Sequence, residues 1–100
     1  MKLTEENIID ISVGDIFYMP ESFKMPMKFI FVGVWEGRYR FISEYQVLSI
    51  YKENFDFNAN VRINGLYSTY EECCVRMREL CLETIDHYNK HQLKNNPIQI

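Results

Sequence analysis

The feature that most constrains this chain is a change of hydrophobic period near Tyr67. Before that point apolar residues recur at every second position, as on a strand; after it they recur at three and four, as on a helix. Strands followed by one helix make an α+β arrangement. A chain of 100 residues supports one packed core, which excludes a two-domain enzyme and predicts a single domain over 1–100, with β structure over about 15–67 and a helix over about 70–93. Its hydrophobic content of 47% is enough for that core and too high for a disordered chain.

Within the first half, Thr4-Glu5-Glu6 can open a short helical turn, and Gly14-Asp15 punctuates the chain before a first strand over 16–19. Pro20 and Pro26 make the intervening segment an irregular loop, because neither can donate to a ladder. Positions 28–36 alternate, with Phe29, Phe31 and Trp35 on one face and Ile30, Val32 and Val34 on the other. Two apolar faces predict a central strand covered on both sides. Glu36-Gly37 is the turn into a strand over 38–43, and 45–51 reads as another strand. Positions 55–63 alternate apolar and polar without a break, predicting a fifth, half-buried strand. Asn64-Gly65 suits a type I′ turn after it, returning Leu66-Tyr67 beside that strand. About five antiparallel strands predict a small barrel or strongly bent sheet.

Thr69 and Glu72 form a capping box at the head of the helix, and Asn95-Asn96-Pro97 ends it. Projected around the helix, Tyr70, Cys73, Cys74, Met77, Leu80, Cys81, Ile85 and Tyr88 share a face, which is expected to pack on the sheet. On that expectation Met77→Glu unfolds the chain. The opposite side is charged, with Glu72–Arg76 and Asp86–Lys90 at supportive spacing. Val75, Leu82 and Leu93 form a second apolar line away from the first, suited to a partner or to a second copy in a homodimer.

The three cysteines, Cys73, Cys74 and Cys81, fall in this helix; they read as unpaired, buried thiols in a reducing compartment. The amino-terminal segment lacks the apolar core of a secretory signal, and no run suits a membrane span, so the expectation is a cytoplasmic protein with no membrane partner. A net charge of -3 selects neither nucleic acid nor an acidic mimic of it. Glu83, His87 and His91 stand at successive i,i+4 positions, but they sit along a solvated helix edge near its end and are read as a polar face; no metal or cofactor is expected. Phosphate loops, nucleophile triads and carboxylate pairs are all missing from the chain, so catalytic residues are not assigned and no enzyme is expected.

Val13-Gly14-Asp15-Ile16-Phe17-Tyr18 at one end and Leu66-Tyr67-Ser68-Thr69-Tyr70-Glu71-Glu72-Cys73 at the other resemble the ends of the SH3-like small β-barrel proteins common in bacteriophages, in which a strand leads into a Thr-x-Glu-Glu helix start. The resemblance is at the level of the fold. It implies a barrel with a C-terminal helix and a non-catalytic role in binding a host protein, as an inhibitor or modulator of a host enzyme or antiphage defence protein in the host cytoplasm. A single alanine beside abundant Ile, Asn and Phe suits an A+T-rich gene, in keeping with a phage origin.

Two surfaces emerge from the residues themselves. Phe23, Met25 and Met27 in the proline-braced loop, with Trp35 and Tyr39 of the hairpin and Val75 and Leu82 of the helix, are large apolar groups suited to a protein partner. The loop can equally fold back and plug one end of the sheet. Lys24, Lys28, Arg38 and Arg40, interleaved with aromatics, are the residues of an alternative in which the hairpin binds nucleic acid.

Overall fold

The computed structural model describes residues 1–21 and 25–91. Four strands, β1 (Ile16–Met19), β2 (Met27–Trp35), β3 (Arg38–Ile42) and β4 (Val47–Tyr51), form an antiparallel meander in the order β1-β2-β3-β4. The β2–β3 turn needs two left-handed residues, and Glu36 and Gly37 supply them at φ 52° and 76°. A 3-10 helix (Lys52–Phe57) comes after β4, then a short helix α1 (Ala59–Ile63) and the long helix α2 (Tyr70–His91). The class is α+β, with an open sheet and one long C-terminal helix; residues 92–93, to which the sequence extends that helix, lie outside the described residues.

The expected fifth strand is helical instead. Asn58 accepts from the backbone N–H groups of Asn60 and Val61 through its side chain, capping α1. Gly65, at φ 86°, closes that helix as a left-handed residue, its N–H donating to Val61 O at 2.9 Å. The Asn-Gly pair that suits a hairpin turn therefore ends a helix. Of the alternating apolar residues, Phe55 and Val61 enter the core, whereas Phe57 is 76% exposed. With no strand at 55–63, the barrel expected from the sequence is replaced by an open sheet.

Tyr67 does pair, but with β1: Tyr18 N–H donates to Tyr67 O at 2.7 Å and Tyr67 N–H to Tyr18 O at 2.9 Å. On the far side of Tyr67, Leu3 N–H donates to Leu66 O at 2.7 Å, so the amino-terminal segment adds a further bridge along this edge. The β1 edge is thus covered by the chain's own backbone.

One face of the sheet carries the core. Phe17, Phe29, Phe31, Phe41, Leu48 and Ile50 point to it and meet Leu3, Ile8, Phe55, Val61 and Leu66 from the flanking turns and α1. Phe17 and Phe31 both contact the Phe41 ring, at centroid distances of 5.9 and 5.2 Å. The 3-10 turn at Ile8–Asp10, entered through Thr4 and Asn7, delivers Ile8 to this cluster, much as the Thr4 signal implies.

Helix α2 does not cover the sheet. Of its 22 residues only Cys73 is fully buried; Met77, Leu80 and Ile85 are half-buried, while Cys74, Cys81 and Tyr88 are exposed. Its first turns are held at the β1 edge: Tyr70 meets the Tyr18 ring edge-on at 5.6 Å, and Arg76 Nη2 donates to Ile63 O at 2.9 Å. Its next turns, as far as Thr84, line a cleft against Pro20, Glu21 and Asn64, and the molecule measures 52 × 23 × 23 Å. The apolar stripe expected under the sheet is therefore largely unburied, and Met77→Glu loses its reason to unfold the chain.

The capping box forms in part. Thr69 Oγ1 accepts from Glu72 N at 3.3 Å, while the Glu72 carboxylate bonds Thr69 Oγ1 at 2.8 Å and pairs with the Met1 ammonium. Those bonds, the Met1 one first, hold the Glu72 carboxyl below its usual range. Asp86–Lys90 forms at 3.0 Å as the spacing predicts. Arg76 turns away from Glu72 and pairs with Glu79 at 3.2 Å and Glu83 at 3.3 Å.

Candidate functional site

The outer face of the sheet carries an apolar row of its own. Ile16, Ile30, Ile42 and Val47 are directly paired across all four strands, forming an unbroken row of β-branched side chains. Such residues favour strands, which is why the local sequence folds this way. Ile16 and Ile42 are exposed and Val47 is 64% exposed, so among the described residues this row has no layer over it. Ile30 and Ile42 also line a shallow groove of about 830 Å3 bounded by Met25, Pro26 and Tyr45.

A bulge decides what stands beside the row. The β2–β3 register shifts between Phe31 and Gly33, with Gly33 at φ 126°. The inserted residue reverses the facing of the rest of β2, so Trp35, expected on the same side as Phe29 and Phe31, pairs with Arg38 on the outer face. There it stacks with Arg40, whose guanidinium carbon is 5.1 Å from the Trp35 ring centroid; Arg38 lies 4.9 Å from the Tyr51 ring. The Arg40 Nε is buried without a hydrogen-bond partner.

The strands themselves contribute only positive charge to this face, while Glu21 and Glu44 line the groove. The four strands contain Lys28, Arg38 and Arg40 and no acidic residue, in a chain whose net charge is -3. All three occupy outward positions: Lys28 pairs with Tyr18, Arg40 with Gly33 and Ser49, and Arg38 with Trp35 and Tyr51. Arginine and lysine stems extend the apolar surface while presenting charge at its rim.

The remaining residues named from the sequence divide. Met25 is 73% exposed at the rim of the groove. Met27, the first residue of β2, packs against the core, and its sulfur accepts from Gln46 Nε2 at 3.1 Å. Phe23 and Lys24 lie outside the described residues. Tyr39 belongs to the inner face, stacked on Phe31 at 5.9 Å, and so is not part of the exposed surface with Trp35. Val75 and Leu82 are exposed on α2, apart from the strands. Sequence reasoning does not single out Ile16, Ile42, Val47 and Tyr51 as a surface; the signal is the alternation itself, which marks two apolar faces without saying which is covered.

Among the described residues, no three His, Cys, Asp or Glu side chains gather closely enough to hold a metal ion. The His87 and His91 rings lie 4.7 Å apart, tilted by 44°, while Glu83 is turned to Arg76. Cys73 alone meets the expectation of a buried thiol, and burial pushes its pKa up to about 12, which makes it a poor nucleophile. Cys74 and Cys81 are exposed free thiols. No helix among the described residues is long and apolar enough to cross a membrane. No family model matches the chain, and no curated protein or solved structure matches it either.

Proposed function

We propose that this chain is a non-enzymatic protein-binding module that docks a partner on the outer face of its sheet. The observation that carries the reading is the uncovered row Ile16–Ile30–Ile42–Val47, because a continuous apolar strip on a folded surface is where association gains most from excluding water. Trp35, Tyr51 and the arginines stacked on them are the residue types that dominate binding energy at interfaces. Met25 at the groove rim adds an adaptable thioether. The setting is the one that the resemblance to SH3-like phage proteins implies: an inhibitor or modulator of a host enzyme or defence protein, acting in the host cytoplasm.

The test is affinity capture from host lysate with the wild-type chain, Ile42→Glu and Trp35→Ala, each checked by thermal melting. The expected result is one retained host protein, lost in both variants at an unchanged melting temperature. Equal retention by all three chains overturns the outer face as the contact.

The two cation–π pairs favour a second reading, a nucleic-acid-binding face using Lys28, Arg38 and Arg40. It requires retention of an oligonucleotide that weakens steeply with salt and is lost in Arg38→Glu with Arg40→Glu. Salt-insensitive association through the aliphatic row excludes it.

A further inference from the structure

We infer that the free edge of β4 pairs with the β4 edge of a second copy of this chain, antiparallel about a two-fold axis at Ser49, so that two four-stranded sheets join into one. The inference concerns the edge of the sheet and stands apart from the docking reading of its outer face.

The direction of the backbone bonds carries it. In an antiparallel ladder the N–H and C=O groups of alternate residues turn to one neighbouring strand, and those of the residues between turn to the other. Tyr18 exchanges both its bonds with Tyr67, so Phe17 and Met19 bond to β2; Phe31 N–H donates to Asp15 O at 2.9 Å, so Ile30 turns to Ile42 on β3. Ser43 N–H donates to Gln46 O at 2.9 Å, which in the same alternation bonds Phe41 to Leu48 and Tyr39 to Ile50. Val47, Ser49 and Tyr51 therefore direct their backbone groups away from β3. Among the described residues no strand or isolated bridge lies beyond β4 to receive them.

A free edge is ordinarily blunted by proline, charge or a bulge. None of these occurs in β4, which reads Val-Leu-Ser-Ile-Tyr and pairs with β3 residue for residue. The opposite edge is closed by Tyr67 and the amino-terminal segment. One open edge per molecule means that pairing of like edges stops at two copies. The edge also suits itself. Centred on Ser49, antiparallel pairing sets Val47 of one copy against Tyr51 of the other, a β-branched and aromatic cross-strand pair of the favourable kind. Val47 is 64% exposed and Tyr51 40%, so both have surface to bury. The side chains that meet at the axis are the small ones of Ser49. The aliphatic row then continues from Ile42 and Val47 into Tyr51 and Arg38 of the other copy. Like charges stay apart: Arg40, beside Ser49, lies three strand spacings, about 14 Å, from its copy, beyond the ~8 Å screening length.

Molar mass measured by light scattering across a concentration series, together with disulfide trapping, tests this on the full chain. The wild-type mass is expected to rise toward twice 12.1 kDa. Ser49→Pro removes the donor at the axis without touching the β3–β4 bonds, and should raise the dissociation constant roughly 30-fold. Trapping decides independently of how well that variant folds, and uses chains in which Cys74 and Cys81 are replaced by serine. Ser49→Cys should link to itself in a glutathione redox buffer, its two Cα atoms standing about 5.5 Å apart. Val47→Cys alone should not, with ~14 Å between its copies, but should link to Tyr51→Cys when the two chains are mixed. A wild type that stays monomeric overturns the inference, whether or not a strand of another protein takes the edge. A dimer unaffected by Ser49→Pro overturns it, as does self-linking of Val47→Cys, which means a parallel or shifted register. Ile42→Glu, which alters the docking face, should leave the dimer intact; its loss there means contact through the face and overturns pairing at the edge. Failure of the docking reading is seen separately, in the lysate capture.

Discussion

The inner and outer faces of the sheet are built from the same alternating pattern, yet one is the core and the other, among the described residues, has no layer over it. Inward, Phe31, Phe41 and Leu48 pair across three strands; one position along, Ile30, Ile42 and Val47 do the same outward. Hydrophobicity does not separate the two rows. What separates them is the supply of covering chain: the amino-terminal segment, the 3-10 helix Lys52–Phe57 and α1 bring Leu3, Ile8, Phe55, Val61 and Leu66 to the inner side, and the one long helix is spent elsewhere. These segments lie on one face, and among the described residues nothing lies over the other.

The sharpest way to break the comparison is to truncate neighbouring residues on opposite faces. Phe41→Ala removes a fully buried ring and is expected to cost ~3–5 kcal/mol, a fall of roughly 15 °C or more in melting temperature. Ile42→Ala, one residue on, is expected to stay within ~0.5 kcal/mol. Equal losses in thermal melts would mean that the outer row is covered within one chain.

Gly65 tests the inner side's cover. At φ 86°, with an added Cβ only 2.7 Å from the Tyr67 ring, Gly65→Ala is expected to cost ~1–3 kcal/mol. Denaturant unfolding measures it, and a neutral result would mean that the α1–Tyr67 corner can shift freely.

The thiols report the same contrast chemically. An aromatic disulfide reagent should modify Cys74 and Cys81 readily in the native chain and reach Cys73 only on unfolding. The raised Cys73 pKa also sets a pH limit: the neutral thiol's contribution is complete below its ordinary value of 9.0 and is lost as pH climbs toward about 12.

The smallest effect is expected at the open helix. The bonded Glu72 carboxyl sits below its ordinary 4.5, so its contribution is present above that value and lost as pH falls through the lowered one. Glu72→Gln should lower the melting temperature slightly at neutral pH and flatten the acid side of the stability profile. A wild-type profile already flat there would show that the Met1–Glu72 pair contributes nothing.

Local signals were legible wherever the physics is local. The Ile16–Met19, Met27–Trp35 and Arg38–Ile42 strands, the left-handed Glu36-Gly37 turn and the Thr69-led start of α2 arise from alternation, φ preference and capping, which act over a few residues. The sequence reading fails at 55–65, where the apolar alternation predicts a strand and Asn64-Gly65 its turn, whereas Asn58 and Gly65 cap a helix at its two ends. There the caps prevail, because α1 needs only Phe55 and Val61 in the core and the β1 edge that a further strand could have joined is taken by Tyr67.

The candidate surface was legible in its residue types and not in its place. The sequence by itself determined an α+β chain with two apolar strand faces, a basic hairpin and an amphipathic helix with apolar residues on more than one side. Only the tertiary structure decided that the bulge at Gly33 turns Trp35 outward, that Tyr39 goes inward, and that α2 leaves the sheet instead of lying on it. The reason is that alternation and helical period state which residues share a face, whereas which face is buried depends on contacts between segments far apart in the chain.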